Sequence, residues 1–153
     1  MTELTSRPTG LTGLEHLRAI ADGTLEAPPI ARLMGFDLVE VEEGRALFAA
    51  TPTEAHYNPI GSVHGGFAAT LLDSAMGCAV QTTLPAGVGY TTLEISANLV
   101  RGITAATGRV LCEGRTLHVG RRAATAEARL TQASTGKLLA HGTTTCLVTE
   151  LAG

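Results

Sequence analysis

The stretch from Phe67 to Thr83, FAATLLDSAMGCAVQTT, constrains the fold more than any other part of the chain. It is rich in alanine and leucine, with no breaker except Gly77, and reads as a helix. Its apolar residues run nearly all the way round the axis, so it demands burial on every side. The rest of the chain supplies strands to wrap it. Phe36–Glu43 and Gly44–Thr51 meet at Glu43-Gly44, and the second alternates Ala46, Phe48 and Ala50 on one face. After Leu84-Pro-Ala-Gly87 come Tyr90–Arg101, Gly108–His118, Arg121–Ala133 and Lys137–Thr149, separated by turn-like segments. Tyr90–Arg101 alternates sharply, with Leu93, Ile95, Ala97 and Leu99 set against Thr92, Glu94, Ser96 and Asn98. Consecutive hairpins predict an antiparallel sheet lying on one buried helix, an α+β class.

Residues 1–10 read as a loose arm. A short helix is expected over Gly13–Asp22, where Leu14, Leu17 and Ile20 or Ala21 share a face and Gly23 ends it. Another runs from Pro28 to Gly35. The chain of 153 residues suits one domain, 26–153, preceded by an arm and helix over 1–25. With 44% hydrophobic and 16% charged residues it can bury a core, and with 3% aromatics that core is aliphatic around a few rings. The net charge of −3 and a single lysine, Lys137, exclude a nucleic-acid footprint. No apolar run reaches membrane length and the first residues hold no signal core, which points to the cytoplasm and no membrane partner. Cys78, Cys112 and Cys146 sit in apolar stretches and read as reduced core thiols. No Cys/His spacing matches a metal site, and no metal or cofactor is expected.

Asp73 lies in Thr70-Leu-Leu-Asp-Ser-Ala-Met76, too far inside the apolar stretch to act as a cap. The plainer readings are an exposed helix face, or a carboxylate held by Ser74 or Thr70. The functional reading gains weight from what precedes it. His64-Gly65-Gly66 stands at the start of the helix, where the glycines let a ligand approach the backbone. The first N–H groups of a helix are unpaired and sit at the positive end of its dipole. They can hold a developing oxyanion. His64 and Asp73 are nine residues apart, which at ~1.5 Å and ~100° per residue puts them roughly 13 Å apart along the axis, on opposite faces. One chain cannot present both to one carbonyl. Two chains can, if their helices lie side by side and antiparallel across a two-fold axis.

Asn58-Pro-Ile-Gly61-Ser-Val-His64-Gly65-Gly66, with Asp73 after six further residues, resembles the hot-dog-fold acyl-CoA thioesterases, and within them the phenylacetate-pathway group. The likeness extends over roughly 30–149 and includes Thr91-Thr-Leu-Glu-Ile-Ser-Ala-Asn-Leu-Val-Arg101 and Gly120-Arg-Arg122. It implies a curved antiparallel sheet wrapped around the central helix, a homodimer with a continuous sheet, commonly paired into a tetramer, and an acyl-CoA substrate with no metal. It also implies that Asp73 activates water or attacks the thioester, and that Gly65, with Gly66 beside it, gives the oxyanion N–H. His64 and Asn58 would position the thioester or the water, and Thr92 matches a hydroxyl that holds the water in some members.

The chemistry agrees with this. A thiolate leaves easily, so an oxyanion hole and one carboxylate suffice. No Gly-x-Ser-x-Gly elbow is present. Glu94 is the alternative carboxylate, read as structural or interfacial. Arg121 and Arg122 after Gly120, together with Arg101, are candidates for the phosphates of CoA or are solvated rim charge. Tyr90 lines the acyl or pantetheine channel or belongs to the core. His16, His56, His118 and His141 read as ordinary residues. The helix over 13–22 could cover the acyl pocket and limit chain length. Two other readings compete: a non-catalytic acyl-CoA sensor, which lacks an output element here, and a hydratase, whose motifs differ.

Overall fold

A computed structural model describes residues 10–151; the expected arm lies, but for Gly10, outside the described residues. Helix α1 (Gly13–Ala21) opens on a capping box, in which the Thr12 hydroxyl accepts the Glu15 N–H and the Glu15 carboxylate accepts the Thr12 N–H. Helix α2 (Pro29–Met34) starts on a proline, which has no N–H to satisfy, and stops at Gly35. The strands are β1 (Phe36–Glu42) and β2 (Arg45–Ala50) before the long helix α3 (Gly65–Gln81), and β3 (Val88–Leu99), β4 (Val110–Val119), β5 (Ala123–Gln132) and β6 (Leu138–Glu150) after it. They form one antiparallel sheet in the order β1-β2-β4-β5-β6-β3.

The α+β architecture expected of the chain is present: α3 packs against all six strands. Leu71, Leu72 and Met76 of α3 are wholly buried, each contributing about 1.5–3 kcal/mol. Opposite them the sheet offers small residues, Ala46, Ala124, Ala126 and Ala128, all buried. Gly114 of β4 touches the α3 backbone so closely that a Cβ there would run into the Ala75 carbonyl. The sheet closes onto the helix because its inner face is cut short. Cys112 and Cys146 are buried free thiols and Cys78 is half-buried. No helix among the described residues is long and apolar enough to cross a membrane.

Three details differ from expectation. The helix runs from Gly65 to Gln81, not Phe67 to Thr83. The Thr82 and Thr83 hydroxyls donate to the Ala79 and Val80 carbonyls, and Thr82 Oγ1 also accepts the Gly44 N–H at 2.7 Å, tying the β1–β2 turn to the helix end. Strand β3 does not pair with β4. It lies at the edge beside β6, while β4 joins β2. Leu93, Ile95 and Leu99 therefore do not form a buried face: they are 62%, 39% and 54% exposed, because nothing among the described residues covers that end of the edge strand.

On the sheet, Arg45 donates from Nε to Glu113 at 2.6 Å and from Nη1 to Glu40 at 2.8 Å, and Arg115 donates to the other Glu113 oxygen at 2.7 Å. Burial alone would raise the Glu113 carboxyl, but hydrogen bonds and charge from the two arginines outweigh it and hold it below its ordinary value. A carboxyl lowered by folding gives stability that is complete above the unfolded value, about 4.3, and is lost as pH falls through the lower folded value. Glu113→Gln is expected to lower stability at neutral pH and to flatten its decline on acidification, as read from urea unfolding across the acid range. Parallel pH profiles for variant and wild type would contradict this.

Candidate active site

At the start of α3, His64 is the N-cap. Its Nδ1 accepts the Gly66 N–H at 2.8 Å and its carbonyl accepts the Phe67 N–H at 3.0 Å. Its own N–H donates to the His56 carbonyl at 2.8 Å. With Gly66 engaged, the Gly65 N–H is left without a hydrogen-bond partner among the described residues. The preceding loop is held by Asn58, whose Oδ1 accepts the Ile60 and Ser62 N–H groups and whose Nδ2 donates to Ser62 Oγ at 3.1 Å. Gly61 (φ 84°) makes the turn that closes it. Asn58, Ser62, His64, Gly65, Leu99 and Arg101 line one cleft of about 260 Å³. Asn58, His64, Gly65 and Arg101, far apart in residue type, are thus gathered in one place.

Asp73 is half-buried in the middle of α3, and Thr92 Oγ1 donates to its Oδ1 at 3.0 Å. Strict alternation had placed Thr92 on the polar face of its strand with Glu94. A bulge between Thr92 and Glu94 breaks the alternation, so Thr92 meets Asp73 while Leu99, of opposite parity, still reaches α3 beside Gly65. Thr70, considered as a partner for the carboxylate, turns back to the Gly66 carbonyl at 2.7 Å instead. Glu94 is exposed. One turn further along α3, Gly77 leaves room for Tyr90, whose ring lies where a Cβ would stand. Burial, with the Asp73 charge adding to it, pushes the Cys78 thiol up to about 12. Sequence reasoning passed over Gly77 and Cys78 as parts of this region. The available signal was an isolated glycine inside a helix, a mark of close approach.

The arginines divide between the two regions. Arg101 stays with Gly65, while Gly120, Arg121 and Arg122 form the exposed β4–β5 turn. Ala124 beyond that turn pairs with Cys146, which pairs with Thr92, so this turn belongs to the Asp73 end of the sheet. Neither Asp73 nor Thr92 lines the Gly65 cleft. Of the remaining histidines, the His56 ring packs on Phe67 with centroids 4.5 Å apart, and His16 Nδ1 lies 2.9 Å from Gln81 Nε2.

A helix wrapped by an antiparallel sheet, with a free N–H at its start and a half-buried carboxylate at its middle, suits thioester chemistry, and residues 60–139 match the family model of the Thioesterase superfamily. The chain belongs to that superfamily of thioester hydrolases. It is 29% identical over 130 residues to human acyl-coenzyme A thioesterase 13, covering 84% of this chain and 91% of the relative. A 1,4-dihydroxy-2-naphthoyl-CoA hydrolase of Listeria monocytogenes is 29% identical over 106 residues, 69% of this chain and 84% of the relative. Among solved structures, a phenylacetic acid degradation-related protein of Ralstonia eutropha JMP134 superposes with a TM-score of 0.77 at 28% identity, covering 86% of this chain and 98% of that one. A conserved protein of Pseudomonas aeruginosa gives 0.74 at 31% identity, covering 80% and 95%.

Proposed function

We propose that the protein hydrolyses an acyl-CoA thioester to a free carboxylic acid and CoA, at composite sites built across a two-fold dimer. One observation carries this reading: the unpartnered Gly65 N–H and the Thr92-held Asp73 carboxylate share a helix but not a cleft. The 12-residue edge strand β3, with Leu93, Ile95 and Leu99 exposed, offers the surface on which a second copy would pair. Two β3 strands paired antiparallel would bring α3 beside its partner running the other way. Asp73 of one protomer would then approach Gly65 of the other, and Arg121 and Arg122 would approach the partner's Arg101. The tetramer implied by the family likeness would be a dimer of such dimers.

In that site the Gly65 N–H holds the carbonyl oxygen as charge develops on it. Asp73 either takes a proton from water as the water oxygen bonds to the acyl carbon, or bonds to that carbon itself and is released by water. The C–S bond breaks, and the thiolate receives the proton that water gives up. Thr92 fixes one carboxylate oxygen and leaves the other for the reaction. His64 and Asn58 border the carbonyl, and the arginines meet CoA phosphates. The free thiols suit a cytoplasmic setting. Helix α1 closes a small apolar cavity lined by Leu17, Ile20, Ala31, Leu38, Phe48 and Cys78, and we read it as the cover of the acyl end.

CoA release from a panel of aryl and aliphatic acyl-CoAs tests the reading, with turnover expected on at least one class. Tight binding with no CoA release on any member would replace the hydrolase with a sensor. The same panel run on a chain lacking residues 1–25 tests α1: an unchanged chain-length preference removes its role as cover.

A further inference from the structure

His56 grips the first turn of α3 on both sides of its glycines, and the reaction as written gives it no part. It ends a short 3₁₀ turn, Glu54–His56, and faces His64 across the loop between them. Its carbonyl accepts the His64 N–H at 2.8 Å, just ahead of Gly65 and Gly66. Its ring packs on Phe67, just after them, with centroids 4.5 Å apart. The ring is itself held in place, since Nδ1 accepts the Thr53 N–H at 3.0 Å.

The Gly65 N–H lies between these two holds. It shares one planar peptide unit with the His64 carbonyl, and the two ends of a trans unit point in opposite directions. The His64 oxygen is fixed by the Phe67 N–H at 3.0 Å. Whatever seats Phe67 therefore aims the Gly65 N–H. Gly65 has no side chain with which to anchor itself. On the α2 side a cavity of about 410 Å³ opens beside the turn, bordered by Met34, His56, His64, Phe67 and Thr70. Against that open side, the His56 ring is what Phe67 leans on.

We propose that His56 is a positioning residue of the oxyanion hole, its ring on Phe67 keeping the Gly65 N–H aimed at the thioester oxygen. This rests on the reading of Gly65 as the oxyanion donor of an acyl-CoA hydrolase. His56 acts through Phe67 and the His64 peptide, not on the substrate. The aim of the N–H matters most once charge has developed on the oxygen, so loss of the ring lowers kcat and leaves KM where it was.

The test is steady-state kinetics on the best thioester of the panel, with wild type, His56→Ala and His56→Phe. His56→Ala is also combined with Gly65→Pro, which lacks the N–H. His56→Ala keeps the backbone bond to His64 and loses only the ring. It is expected to cost about tenfold or more in kcat at unchanged KM, the effect of a catalytic group held out of line. His56→Phe keeps a ring on Phe67 and should restore most of that kcat. On Gly65→Pro no N–H remains to be aimed, so His56→Ala should lower kcat no further. A ring that serves stability alone would cost the same in both backgrounds. Phe67→Leu removes the ring on which His56 rests and should reproduce the kcat loss; it decides the matter if His56→Ala does not fold. An unchanged kcat in either variant, a loss carried by KM, a His56→Phe as slow as His56→Ala, or an equal loss on Gly65→Pro overturns the proposal. With wild-type turnover intact, any of these sinks the role of His56 alone. Absence of CoA release by wild type from every thioester sinks the hydrolase reading and this inference with it.

Discussion

Asp73→Asn is expected to lower kcat on the best thioester by about 10³-fold or more, within the range for loss of a single acid–base group, while secondary structure and oligomeric state should stay as in wild type. The change removes the charge and little else, since the asparagine oxygen can still accept from Thr92, as Oδ1 does now at 3.0 Å. Gly65→Pro is the matching change at the other half of the site. Proline at the first position of a helix is well tolerated and lacks only the N–H. His64 before it is already extended, with ψ 138°, as a pre-proline residue must be. A Cβ at Gly65 meets only the tip of Leu99. This variant should lose about 10²–10³-fold, the worth of one oxyanion donor.

The two inactive proteins should then rescue each other. Unfolded together and refolded, they would form mixed dimers in which one site joins the intact Asp73 of one chain to the intact Gly65 of the other. Random pairing makes half the dimers mixed, with one good site of two, so about a quarter of wild-type activity should return. If refolded mixtures stay as inactive as their parents, each chain holds its own complete site and the composite arrangement is wrong. Retained activity in Asp73→Ala would shift attention to Glu94.

The second large effect is on stability. Gly114→Ala is expected to cost about 3 kcal/mol or more, beyond the usual penalty for overpacking a core. The colliding atoms are the Ala75 carbonyl and the Met76 nitrogen, which are fixed by the helix they belong to. Strand β4 cannot retreat either, since Gly114 pairs with Ala46 on one side and Ala128 on the other. A strand glycine changed to alanine ordinarily gains stability by restricting the unfolded chain, so the sign alone is diagnostic. Gly102→Ala, with open space around its Cβ, serves as the control. Urea unfolding reads both, and a Gly114→Ala midpoint equal to that of the control would mean that α3 can shift.

Local periodicity made most of the elements legible. The apolar run identified α3, and Ala46, Phe48 and Ala50 marked the inner face of β2, all three buried. What lay beyond the sequence was long-range. Nothing in residues 88–99 indicates that they pair with the last strand and not the next one, because that choice is made by the packing of the whole sheet around the helix. The bulge after Thr92 was equally silent: Thr-Leu-Glu carries no glycine or proline to mark it, and by strict alternation Thr92 faces away from Asp73. Its candidacy came from family likeness, and the bulge supplies the physical reason. Asp73 could be singled out because a carboxylate in an apolar helix is conspicuous. Tyr90 was read as channel lining or core, a choice that turns on neighbours the sequence does not show.

The capping bond at His64 also settles which way protons can move there. A neutral imidazole has one nitrogen able to accept, and in His64 that nitrogen, Nδ1, already receives the Gly66 N–H. Its hydrogen therefore rides on Nε2, and the ring faces a ligand as a donor only. It can steady a carbonyl or a water but cannot strip a proton from either, so in the proposed reaction that step falls to the carboxylate of Asp73.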